Sequence, residues 1–197
     1  MQNKRLDIDI LGQASYFISC WEGLSLKPYK CAAGKYTIGY GHVISGKENL
    51  PSSITKKEAN NLLEQDIRKA QYSLVNNVKV PLTIQQIVAL ISFIFNVGGG
   101  AFQRSILRQK LNRGEYRLAA EEFDKWIYAQ GNSLKGLINR RQAEKKLFLQ
   151  GLESSEKKSK NVFFGFKAFL LNNKFITTIK FTLHNFCYKL LLKMRII

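Results

Sequence analysis

The sequence predicts an α+β protein: a small N-terminal lobe built on a β-hairpin and a larger helical lobe, with a long helix joining the two. Three observations carry this. Between residues 26 and 45 the strand formers Tyr29, Tyr36, Ile38, Tyr40, Val43 and Ile44 are punctuated by Gly34, Gly39, Gly41 and Gly46, which mark turns and bends. From residue 55 onward, apolar residues recur three and four apart, the period of a helix with one buried face. One of those helices, opening at Thr83, is apolar on nearly every side, so it belongs at the centre of the helical lobe.

Taken in order, Ile8, Leu11, Ala14, Ile18 and Trp21 predict a first helix over 8–21, ended by Gly23 so that Glu22 stands at its C-terminal edge. A hairpin or three-stranded meander fills 26–45. Thr55-Lys56-Lys57-Glu58 has the form of a capping box. Beyond it Ala59, Leu62, Leu63, Ile67, Ala70 and Leu74 line one face of a helix over 55–75. Pro81 separates it from the central helix, which Thr83 and Gln86 cap and the run Gly98-Gly99-Gly100 stops. Helices over 102–111, 115–129 and 136–150 complete the body. A cleft between the two lobes follows from this arrangement, and no internal repeat is visible.

The chain has 197 residues, 45% of them hydrophobic and 23% charged, which is enough for one domain with a core and excludes wholesale disorder. The formal net charge of +17 is its outlying property. Residues 1–151 hold 22 Lys/Arg against 12 Asp/Glu, and residues 152–197 hold 9 against 2. We divide the chain there, into a folded domain over 1–151 and a basic, hydrophobic tail over 152–197. A basic balance predicts an anionic partner: nucleic acid, an acidic membrane leaflet or a wall polymer. No recognition motif for nucleic acid accompanies the charge. Cys20, Cys31 and Cys187 are odd in number and lack metal-ligand spacing, and His42 and His184 are the only histidines. Neither a metal site nor a cofactor is expected. Asp7 and Asp9 interrupt the first twenty residues, so no cleavable signal peptide is expected. The chain would then be made in the cytoplasm and need another route to any target outside it.

In the run Glu22 to His42 (EGLSLKPYKCAAGKYTIGYGH) a carboxyl, a thiol and a hydroxyl follow one another as Glu22-x8-Cys31-x5-Thr37. Singly, each has an unremarkable explanation: a solvated glutamate, a small buried cysteine, a strand threonine. Together, and followed by Ile38-Gly39-Tyr40-Gly41-His42, they resemble the signature of the phage-type lysozymes, glycoside hydrolase family 24. That family carries Glu-x8-Asp/Cys-x5-Thr in the context EGLxLxxYxDxxGxxTIGxGH. The resemblance continues through 54–59, Phe93 to Gly98, Ala101-Phe102-x-x-Ser105, 119–126 and Gly131 to Arg141, covering about residues 8–150 in order.

The resemblance implies a lysozyme-like fold and hydrolysis of the β-1,4 bond between N-acetylmuramic acid and N-acetylglucosamine in peptidoglycan. A glutamate in a partly apolar cleft can stay protonated near neutral pH and act as general acid, and Glu22 is that candidate. An inverting mechanism places a second group roughly 6.5–9.5 Å away to activate water. Cys31 stands where many members carry Asp. A thiol with an ordinary pKa of about 8.5 is only about 3% thiolate at pH 7. Cys31 is therefore a poor resident base unless Lys30 or Lys35 lowers its pKa. Formation of a covalent glycosyl intermediate and help to Thr37 in orienting the water are the other readings. The resemblance also suggests that Val43, Phe95 and Ser105 line the sugar cleft. His42 reads as a hydrogen-bonding hinge between hairpin and body. The pair Arg140-Arg141 reads as a solvated or packing feature of the last helix, or as a basic patch steering anionic wall polymers.

The resemblance does not reach the tail. There Lys167, Lys174, Thr178, Thr182, Asn185, Lys189 and Lys193 trace a polar stripe consistent with an interfacial amphipathic helix on an anionic membrane surface. A structureless extension is the alternative. The expected protein is a monomeric endolysin that acts on peptidoglycan after membrane disruption. Two rivals stay open: a lytic transglycosylase, and a non-enzymatic membrane-permeabilising protein acting through the tail.

Overall fold

The computed structural model describes residues 2–31, 34–44, 52–129 and 131–157. Helix α1 spans Gln2–Ser19. Strands β1 (Ser25–Lys30), β2 (Tyr36–Gly39) and β3 (His42–Val43) form an antiparallel sheet in that order. Helices α2 (Lys56–Asn77), α3 (Ile84–Val97), α4 (Gly99–Arg104), α5 (Ile106–Asn112) and α6 (Tyr116–Glu121) follow. A 3-10 turn (Glu122–Lys125) leads into a short hairpin of β4 (Tyr128–Ala129) and β5 (Asn132–Ser133), and α7 runs over Lys135–Lys157. The α+β prediction and its two lobes hold. No helix among the described residues is long and apolar enough to cross a membrane. The amphipathic stripe expected between Lys167 and Lys193 lies outside the described residues.

Both predicted capping boxes form. The Thr55 hydroxyl accepts the Glu58 N–H while Glu58 accepts the Thr55 N–H, and Thr83 and Gln86 repeat the exchange, which satisfies backbone donors that a helix start otherwise leaves open. α2 buries Ala59, Leu63, Ile67, Ala70, Gln71 and Leu74. α3 is the centre of the core, with every residue from Gln86 to Ile94 buried. Its Phe93 meets Phe123 and Trp126 edge-on, at centroid distances of 5.2 and 5.3 Å, a favoured aromatic geometry.

Three predicted elements need correction. The first helix starts earlier than expected and ends at Ser19, so Glu22 sits in the turn beyond it, where the Trp21 and Glu22 N–H groups both donate to the Ile18 carbonyl. The helix expected over 102–111 is two helices broken at Ser105, whose extended backbone and capping hydroxyl start α5. The helix expected over 115–129 ends early: it tightens to a 3-10 turn at Glu122 and yields to the hairpin, where Tyr128 pairs with Ser133. Helix periodicity in Leu118, Ala119, Phe123 and Ile127 is real for the first turns, and the local hairpin pairing of 128–129 with 132–133 replaces it at the end. The last helix passes residue 151 without a break. A Cβ on Gly151 would run into the Thr83 hydroxyl, so this position is part of the α7 packing face.

Candidate active site

Glu22 is half-buried where α1 gives way to the sheet. Its Oε1 accepts a hydrogen bond from Arg140 Nη1 at 2.6 Å. Its Oε2 faces Gly41, where a Cβ would stand 3.7 Å away; Gly41 also holds φ at +87°, so a side chain there would be strained as well as close. Trp21, packed on Phe17 at 6.3 Å, gives Glu22 an apolar neighbour.

Arg140 is itself buried in the helical lobe. Its Nε donates to Glu144 Oε1 at 3.1 Å, and its Nη2 donates to the Ser92 carbonyl at 3.2 Å. The Ser92 hydroxyl donates to the same Glu144 oxygen at 2.7 Å. Next to it, Arg141 donates to Asn96 Oδ1 at 2.7 Å and lies over the Phe93 ring. Its Nη1 stands 3.1 Å from Glu144 Oε2 at an angle outside hydrogen bonding, so that contact is electrostatic. Burial pushes the Glu144 carboxyl up, against the pull of Arg141 and Arg140. Burial likewise lowers Arg141 to about 10, with Glu144 opposing. These side chains decide among the readings of the pair: Arg140 and Arg141 are both buried, so they are a packing feature of the last helix, neither solvated nor a surface patch for wall polymers.

Strand β2 carries Thr37. Direct pairing with Tyr29 on β1 and Val43 on β3 puts the three on one face of the sheet. The pair Ile38 and His42 occupies the other face. From there His42 Nδ1 reaches Asp66 Oδ2 on α2 at 2.7 Å, the link between hairpin and body expected of it. Burial raises the Asp66 carboxyl, but hydrogen bonds from His42 and Lys69 outweigh this and hold it below its ordinary value. Thr37 is buried and donates its hydroxyl proton to the Lys35 carbonyl at 3.2 Å, the same carbonyl that accepts the Cys31 backbone N–H at 2.9 Å. Cys31, half-buried just past β1, and Thr37 are thus tied to one point.

Of the other predicted residues, Val43 is exposed beside Thr37 and Phe95 is half-buried on α3. Ser105 is buried, and its hydroxyl accepts from the Arg108 N–H and donates to the Phe102 carbonyl. The sequence reading missed Arg140 as the partner of Glu22, and Ser92 and Glu144 as the partners of Arg140. A signal was present: Ser92 interrupts an otherwise apolar stretch of α3, and Glu144 and Arg140 stand one and two turns before core Phe148 on one face of α7. Among the described residues no group of three or more His, Cys, Asp or Glu is arranged to hold a metal ion.

A small sheet set beside a helical lobe, with a half-buried glutamate at the end of the first helix, is the architecture of lysozyme-type glycosidases, and the enzyme is of that class. The phage lysozyme family matches residues 19–144, a span that runs from the end of α1 to Glu144, and the chain belongs to that family. It is 46% identical over 135 residues to an endolysin of Acyrthosiphon pisum secondary endosymbiont phage 1, covering 66% of this chain and 91% of the relative. To the endolysin of Bacillus phage PZA it is 42% identical over 137 residues, 68% of this chain, and it spans only about half (52%) of that longer protein. Among solved structures, the muramidase domain of SpmX from Asticaccaulis excentricus superposes with a TM-score of 0.63 at 34% identity, covering 69% of this chain and 94% of that one.

Proposed function

We propose that this glycosidase is an endolysin that hydrolyses peptidoglycan between N-acetylmuramic acid and N-acetylglucosamine, with Glu22 as general acid. The observation that carries the proposal is the family match over 19–144, a span that includes Glu22, Cys31 and Thr37. The Glu22 proton passes to the leaving glycosidic oxygen as the bond to the sugar's C1 breaks. A water held on the opposite face by Thr37, with Cys31 beside it, adds to C1 as one of its O–H bonds breaks, the proton going to the Cys31 thiolate or to solvent. Val43 and Phe95 are the side chains assigned to the sugars, and Ser105 orders the start of α5 next to the core. The net charge of +17 suits an anionic wall polymer. Residues 158–197 carry 8 Lys/Arg and no Asp or Glu, and we assign them to an anionic membrane surface. The chain acts as a monomer, on the wall, once the membrane is breached.

Purified protein should lower the turbidity of a peptidoglycan suspension, and Glu22→Gln should abolish the effect; a fully active Glu22→Gln would refute the assignment. Weighing the released fragments separates the rival chemistry, since hydrolysis adds one water per cut and transglycosylation leaves an anhydro end. A protein that lyses only through its tail would lose activity on deletion of 158–197 and keep it in Glu22→Gln.

A further inference from the structure

Glu144 has no part in the chemistry above, yet it is wholly buried among charges. A buried carboxylate and two buried guanidiniums are costly to desolvate and are weak as a source of stability when hydrophobic side chains would fit. Their geometry shows a directional use. A guanidinium is a rigid planar fork, so fixing two of its nitrogens fixes the third. In Arg140, Glu144 holds Nε and the Ser92 carbonyl holds Nη2, which leaves Nη1 aimed at Glu22 Oε1, 2.6 Å away. The Ser92 hydroxyl in turn fixes the Glu144 oxygen that Arg140 uses.

We infer that Glu144, held by Ser92, is a positioning residue for catalysis: it fixes Arg140, and through Arg140 it fixes the Glu22 carboxyl. The inference rests on the reading of Glu22 as general acid. α3 and α7 carry all three supporting side chains, whereas Glu22 lies beyond α1. The buried pair therefore ties the acid to the helical lobe rather than to the turn that bears it. Charge balance points the same way. With Glu22 ionised, Glu22 and Glu144 offset Arg140 and Arg141. When Glu22 takes up the proton it will donate, Glu144 is the remaining carboxylate against two guanidiniums. Replacing it by an amide leaves Arg140 one anion, Glu22, and favours the ionised acid, which cannot donate.

The test compares Glu144→Gln, Ser92→Ala and Glu22→Gln with the wild-type full chain, using soluble peptidoglycan fragments, with kcat, KM, the pH–rate profile and the unfolding temperature measured for each. Glu144→Gln should lower kcat by about 10- to 100-fold, the scale on which a misplacement of about 1 Å acts, with KM unmoved. The alkaline limb of its pH–rate profile should shift toward lower pH. Ser92→Ala should show a smaller fall in kcat in the same sense. A purely structural pair would lower the unfolding temperature alone; wild-type kcat and pH profile in both folded variants would overturn the inference. If Glu144→Gln fails to fold, Ser92→Ala decides in the same way. An active Glu22→Gln would remove the general-acid reading and this inference with it. An inactive Glu22→Gln beside wild-type kcat in the other two variants would remove the inference alone.

Discussion

Cys31 and Thr37 share the Lys35 carbonyl as an anchor, so a change at Cys31 acts next to the proposed water. Cys31→Asp should keep or raise turnover, because a carboxylate with an ordinary pKa of about 3.9 is ionised at pH 7 without help. Cys31→Ala should lower kcat by about 100-fold, the low end for a group engaged in acid–base work; an alanine variant with wild-type kcat would reduce the thiol to packing. Asp66 supports a different prediction, about stability. Its folded-state carboxyl is held below the ordinary value. The contribution of the pair with His42 is therefore present above the unfolded value of about 3.9 and is lost as pH falls through the lower folded value. Asp66→Asn should cost about 1.5–3 kcal/mol at neutral pH, the range for a hydrogen bond to a charged group. It should also flatten the acid side of the stability profile, as measured by denaturant unfolding from pH 7 to pH 2. Glu22, Cys31 and Thr37 stand out as candidates because all three sit in one run of 16 residues. Arg140 was not, because its contact with Glu22 spans 118 positions and those with Ser92 span 48. Nothing local in the chain announces such a meeting.

Among the elements, the capped starts of α2 and α3 were readable, since a capping box is a bond pattern within four residues. The break at Ser105 is written in the sequence as a helix-starting serine, but the apolar period runs across it and masks it. The end of the helix at Glu122 was harder to read, because it depends on the pairing of 128–129 with 132–133. At the other end of α7, Gly151 meets Thr83, whose hydroxyl is already committed to the Gln86 N–H. Thr83 cannot swing aside without opening its cap. Gly151→Ala should therefore destabilise the fold by about 1–3 kcal/mol, the usual cost of overpacking, visible as a lower midpoint in urea with an unchanged slope. A glycine-to-alanine change in a helix that met no neighbour would instead be stabilising, so the sign of the effect tests the contact.

Across the whole molecule the excess of 31 basic over 14 acidic residues sets the long-range field. Attraction to an anionic wall should weaken as the Debye length shrinks from about 30 Å at ~0.01 M salt to about 3 Å at ~1 M. Lysis rates on peptidoglycan suspensions should fall severalfold over that range, while turnover of small neutral fragments should change little; salt-independent lysis would argue against the charge. By itself the sequence determined the α+β class, the lobes, the caps, the central α3 and the spacing of a carboxyl, a thiol and a hydroxyl in the first lobe. Each of these is written in short-range spacing, where backbone period and side-chain chemistry coincide. Only the tertiary structure decided that Arg140 lies against Glu22, that Glu144 and Ser92 hold it there, and that two arginines of α7 are buried. Those facts depend on bringing three helices distant in the chain into contact, and the burial that follows is what turns Arg140 from solvated surface into a fixed partner of Glu22.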